Sequence, residues 1–223
     1  MAMLQNILKI KERITQAAVR AHRDPNSVRL IAVVKEASLE QVKSLVDLGL
    51  SDLAENYAQQ LVKKYGVAPN ATWHFNGRIQ TNKIKYIEPR CEYIHSVCRE
   101  EEIVEIDRIA SKLKKVQKIL IEVNVSGEES KAGVEPEEIS RLLNFAKNFS
   151  SIEVVGLMTM APLVEDAEQV RWVFRKLRQM RDEIATEWPS VVHLSMGMTN
   201  DFEVAIEEGA TMVRIGRAIL KGG

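Results

Sequence analysis

The sequence predicts an α/β chain folded as a closed (β/α)8 TIM barrel with an extra helix at its N-terminus. Two observations carry that expectation. Short apolar runs recur eight times along the 223 residues, and each is followed by a polar turn and a helix-like stretch or by the C-terminus. No Pro/Ser-rich linker or low-complexity tract divides the chain, so residues 1–223 read as one domain. An open doubly wound sheet is the competing arrangement, and the even distribution of eight strands favours closure.

Taken in order, residues 1–22 place Leu4, Ile7, Leu8, Ile14, Ala18 and Val19 at helical spacing among Lys and Arg, which predicts one helix packed on the barrel. The strands expected after it are Arg29–Val34, Asp52–Ala54, Trp73–Asn76, Tyr93–Val97, Ile119–Val125, Glu153–Met158, Val192–Ser195 and Thr211–Ile215. A hydrophobic content of 45% at this length suffices for one sizeable core. Lys and Arg total 31 and so do Asp and Glu, a balance that argues against nucleic acid or an anionic membrane surface as partner. The apolar runs are strand-length, far below the roughly 20 residues that cross a bilayer. No secretory signal is visible. Cys91 and Cys98 flank one strand at an odd spacing that opposes their side chains, so no disulfide is expected and a cytoplasmic setting fits.

A barrel of this kind collects its functional groups at the C-terminal ends of its strands. Lys35 closes the run Leu30–Val34. It reads either as a strand emerging into water or as an amine at the mouth, kept neutral to serve as a Schiff-base nucleophile. Strand seven runs into Ser195-Met196-Gly197-Met198-Thr199, and strand eight into Gly216-Arg217. Small residues and hydroxyls there suit a phosphate, although turn chemistry alone also explains two glycines. Arg214 shares a face with Met212 and Gly216 and is expected to point inward, toward a structural ion pair or a ligand. His74, His95 and His193 lie on strands. With no acidic residue expected at the ends of strands three to six, they read as core histidines rather than metal ligands, and no metal is assigned. Lys131, in the loop Asn124–Gly133, is a solvated lysine or a secondary ligand contact.

At this point the residues resemble the pyridoxal phosphate homeostasis proteins, which look like the barrel domain of bacterial alanine racemases standing alone. The resemblance covers nearly the whole chain. It rests on Ala32-Val33-Val34-Lys35, Glu55-Asn56-Tyr57, Trp73-His74-Phe75 with Gly77, Gln80-Thr81-Asn82-Lys83, Ile94-His95-Ser96, Val123-Asn124-Val125-Ser126 with Ser130-Lys131-Ala132-Gly133, Gly156-Leu157-Met158, and Leu194-Ser195-Met196-Gly197-Met198 continuing to Met212-Val213-Arg214-Ile215-Gly216. It implies that pyridoxal 5′-phosphate (PLP) is held as an internal aldimine on Lys35. Ser195 and the backbone at Gly216 and Arg217 would bind the phosphate, with Met196 and Thr199 in the same turn. Arg214 would face the pyridine nitrogen, and Asn56 and His74 would complete the site. Val34, Ala54, Asn76 and the ending Leu220-Lys221-Gly222-Gly223 depart from the usual family pattern.

The function implied is intracellular PLP homeostasis or delivery by a monomer, with PLP-dependent apoenzymes as partners and no strong catalytic activity. The alternative is a racemase-like enzyme, which normally needs a second acid/base group on the opposite face of the substrate. A metal-dependent barrel hydrolase is the third reading. No catalytic residue is assigned.

Overall fold

A computed structural model describes residues 2–221 of the chain. The first element, helix α1 (Ala2–Arg20), buries Ile7, Ile10, Ile14, Ala17 and Ala18, the i, i+3, i+4 stripe that a one-sided helix requires. Leu4, Leu8 and Val19, expected on that face, are exposed instead. The helix stops short of residue 22 because His22 takes φ +55°, a left-handed conformation that cannot continue it. Asn6 Nδ2 donates to Ile219 O at 3.2 Å, so α1 is tied to the far end of the chain.

The alternating segments that follow are β1 (Arg29–Val33), α2 (Leu39–Asp47), β2 (Asp52–Glu55), α3 (Ala58–Tyr65), β3 (Thr72–Phe75), α4 (Ile84–Ile87), β4 (Tyr93–Val97) and α5 (Glu100–Lys112). Then come β5 (Gln117–Glu122), α6 (Ile139–Ala146), β6 (Ile152–Met158), α7 (Arg171–Ala185), β7 (His193–Ser195), α8 (Phe202–Glu207), β8 (Met212–Ile215) and α9 (Arg217–Leu220). All pairings are parallel, in sequence order, and β1 closes the barrel against β8 with Ile31 opposite Arg214. Parallel strands need covered faces, which is why these strands are apolar on both sides. Outward residues such as Leu53, Ile94, Ile119, Leu157 and Val213 pack beneath the helices. Inward residues Ile31, Ala54, Tyr93, Leu120, Val155, Met158 and Met212 fill the lumen.

Local chemistry sets the turns that present the mouth. Ser38 caps α2 reciprocally with Gln41, its Oγ accepting from Gln41 N at 3.2 Å while Ser38 N donates to Gln41 Oε1 at 2.9 Å. That cap confines Lys35 to the short turn between β1 and α2. Strand β5 ends at Glu122 rather than the expected Val125, because the following loop folds back and pairs with the chain itself. Val134 N donates to Glu122 O, and Asn124 N donates to Val134 O, both at 2.9 Å. Cys91 and Cys98 are free thiols on either side of β4, and burial pushes both up, Cys98 to about 11. Among the described residues no helix is long and apolar enough to cross a membrane.

Candidate functional site

The C-terminal ends of β1, β6, β7 and β8 surround a cavity of about 240 Å³. Lys35, Thr199, Arg214, Gly216 and Arg217 all line it. Lys131 also lines it, brought over the rim by the loop that pairs back onto β5. Ala161, Leu163, Val164 and Leu220 supply an apolar wall. Lys35 is exposed at the rim of this cavity.

The cationic excess of this rim follows from who is already paired. Glu36 bonds Lys221 at 3.0 Å, and Asp201 accepts from Met198 N at 2.6 Å. Lys131 has only a long pair with Glu128 at 3.8 Å. Among the described residues Lys35, Arg214 and Arg217 form no ion pair, so three cations face the cavity without a carboxylate partner. Arg214 is therefore not the structural ion pair that was one of its two readings. Its Nη1 donates to Ser195 Oγ at 2.6 Å and its Nη2 to Thr159 O at 3.0 Å, leaving other guanidinium N–H groups for the cavity. Burial pulls Arg214 down to about 10, with Glu122 and Asp201 opposing, and it stays charged at neutral pH.

Two glycines shape the floor. Gly197 has φ +96°, and a Cβ there would lie 2.7 Å from Ala205 Cβ, so the turn after β7 can approach α8 only as glycine. A Cβ on Gly216 would crowd Val33 O at 3.2 Å. Beyond Gly216, the first turn of α9 leaves N–H groups without intrahelical acceptors.

Four residues expected in the site lie elsewhere. Ser195 is completely buried below Arg214, and its hydroxyl is engaged by Arg214 and by His95 Nδ1 at 2.8 Å rather than turned to a phosphate. Met196 packs into the outer core, its N–H bonded to Met212 O. His74 is deep in the lumen, with Nε2 3.0 Å from Asp52 Oδ1 and Nδ1 2.8 Å from His95 Nε2. Burial lowers both histidines below the usual imidazole range, His95 well below it, while Asp52 partly offsets the effect at His74. With their nitrogens so engaged, neither ring is free to hold a metal. Asn56 borders a separate depression with Tyr57 and Arg78, and its Oδ1 is buried without a donor.

Two groups that matter were not singled out from the sequence. Lys64 on α3 is buried and donates to Val34 O at 2.6 Å, Lys35 O at 3.3 Å and Glu55 Oε1 at 2.7 Å. It thus holds the backbone beneath Lys35. Glu55 in turn accepts from the amides of Asn56 and Tyr57. The second is Glu122, which ends β5 and corrects the expectation that strands three to six end without a carboxylate. It shares the inward face with Leu120, two residues before it. Burial pushes its carboxyl up to about 7, against the pull of Arg214 and with Glu102 adding repulsion.

The family described as the alanine racemase N-terminal domain matches residues 2–222. A pyridoxal phosphate homeostasis protein of Aquifex aeolicus is 45% identical over 95% of this chain and 94% of its own length. Among solved structures, one described as an unknown protein from Bifidobacterium adolescentis superposes with a TM-score of 0.92 at 33% identity, covering 98% of this chain and 94% of that one. PipY of Synechococcus elongatus PCC7942, solved with PLP bound, superposes with a TM-score of 0.81 at 30% identity, covering 94% and 99%.

Proposed function

Because the chain belongs to the alanine racemase N-terminal-domain family, among the pyridoxal phosphate homeostasis proteins, we propose that its mouth cavity holds PLP through Lys35 and that the protein serves PLP homeostasis or delivery. One observation carries this reading: an unpaired lysine at the end of β1 shares a single cavity with two unpaired arginines and a threonine hydroxyl. When bound, PLP supplies an aldehyde that condenses reversibly with an amine and releases water.

The residues present fit that group. Lys35 Nζ is the amine. Thr199, Arg217 and the amides opening α9 suit the dianionic phosphate, because a charge-assisted bond to a fixed donor is stronger than a neutral one. Arg214, positive and buried, suits an acceptor nitrogen and disfavours a proton on it by like-charge repulsion. The pairing of Ser195 favours Thr199 over Ser195 for the phosphate.

Among the described residues no tyrosine, histidine or cysteine lines the cavity, and the lining carboxylates Glu36 and Asp201 are already bonded. That set favours holding a ligand over turning over an amino acid. The reading extends to a single-domain cytoplasmic monomer that passes PLP to apoenzymes. Titration with PLP tests its core. A band near the visible edge that appears with wild type and not with Lys35→Ala supports it, and a colourless wild-type protein contradicts it.

A further inference from the structure

Behind the cavity, polar side chains run through the lumen in one unbroken line. Arg214 Nη1 lies 2.6 Å from Ser195 Oγ, and Ser195 Oγ lies 2.8 Å from His95 Nδ1. His95 Nε2 lies 2.8 Å from His74 Nδ1, and His74 Nε2 lies 3.0 Å from Asp52 Oδ1. Asp52 is held at the other end by Arg29 Nη1 at 3.2 Å. The line crosses strands β8, β7, β4, β3 and β2, so no local sequence rule assembles it.

The two ends determine every proton between them. Arg214 can only donate, and the Asp52 carboxylate can only accept. His74 must therefore carry its proton on Nε2, which leaves Nδ1 bare to accept from His95 Nε2–H. His95 Nδ1 is then bare and accepts the one hydrogen of Ser195, whose oxygen accepts from Arg214. Any extra proton breaks the line: a doubly protonated His95 would aim N–H at Ser195, whose own hydrogen would have no acceptor. Burial of both rings opposes that proton. The surroundings are fixed as well. Tyr93 stacks on His74 with ring centroids 4.9 Å apart, His193 meets Tyr93 edge-on, and Arg29 and Lys118 lie over the Tyr93 ring.

We propose that Asp52, His74, His95 and Ser195 are positioning residues for the cofactor site, a one-way hydrogen-bond relay that fixes where Arg214 directs its remaining N–H groups. The proposal rests on the reading of the mouth as a PLP site. It assigns the two buried histidines a shared role in place of direct ligand contact. It also accounts for Ser195, which is buried and does not line the cavity.

The test reads the ring nitrogens directly by long-range ¹H–¹⁵N correlation on the intact, PLP-free protein, with the histidine signals assigned by single substitution. His74 and His95 are expected as neutral rings, each with a proton on Nε2 and none on Nδ1. In Ser195→Ala, His95 loses its donor and its Nδ1 signal is expected to shift, with PLP held about fivefold more weakly and its absorbance band displaced. His95→Gln, which removes the ring itself, is expected to weaken PLP by a similar factor. A proton on Nδ1 of either ring in a wild type that binds PLP overturns the relay alone. Unchanged PLP spectra and affinity in both variants overturn its positioning role. A wild type with the expected ring protons but no PLP band sinks the site reading, and the positioning role with it.

Discussion

The two ends of the barrel's polar interior use their polar side chains in opposite ways. Toward β2, β3 and β4, Asp52, His74 and His95 are bonded to one another in an unbroken line, and little is left to bind anything else. Toward β1, β7 and β8, Lys35, Thr199 and Arg217 face the cavity, and among the described residues neither cation forms an ion pair. Arg214 belongs to both, bonded behind through Ser195 and open in front. The lesson concerns recognition of a site: a polar residue at a strand end marks a ligand position only when its neighbours leave it unsatisfied.

The sharpest way to break this contrast is to disturb what supports Lys35. Lys64→Met leaves the buried Glu55 carboxylate without its cation, held only by the Asn56 and Tyr57 amides, and is expected to cost about 3–5 kcal/mol in urea unfolding. Adding Glu55→Leu should restore most of that loss. A single-variant cost below about 1 kcal/mol would show that the pair is not a brace.

Glu122 tests whether the burial of a carboxylate at the end of β5 is felt in stability. Its folded-state carboxyl lies near 7, above the unfolded value, so the stability it contributes is present at acid pH and lost as pH rises through 7. Between about pH 4.5 and 8 this group alone should remove about 3 kcal/mol, and Glu122→Gln should flatten that part of the profile. Identical pH profiles for the two proteins would contradict the assignment.

Ligand-facing residues should behave differently from the packed ones. Arg217→Ala should weaken PLP retention about tenfold in equilibrium dialysis while leaving the melting temperature unchanged, since Arg217 is exposed and unpaired. Lys131→Ala, on a rim already paired loosely with Glu128, should weaken it less than about threefold, and less again at high salt. A reversed order of these two effects would move the anion site from the α9 end to the β5 loop.

Most of the barrel was legible because its signals are local. Each of the eight strands is a short apolar run between polar turns, and each expected position overlaps the strand observed. Lys35, Thr199, Arg214, Gly216 and Arg217 were legible for the same reason, as residues in or within four positions of the ends of those strands. What escaped depends on contacts between distant segments. Lys64 sits on a helix where periodicity only marks it as one of several lysines, and its role appears when α3 lays it under Val34 and Lys35. Ser195 has the composition of a phosphate turn, yet Arg214 and His95 reach it from strands 19 residues after and 100 residues before it. Glu122 was passed over because apolar residues continue in alternation to Val125, whereas the ladder stops where the loop folds back. On β4 the register shifts between Ile94 and Val97, so simple alternation fails where His95 and Ser96 lie.

The claim that unsatisfied groups define the site is tested most directly by finding where PLP attaches. Wild-type protein loaded with PLP, reduced with borohydride and digested should carry the added mass on the peptide containing Lys35. Lys35→Ala should carry none, even though Lys131 remains at the same cavity. An adduct that is absent from the wild type, or that persists in Lys35→Ala on another lysine, would contradict the account.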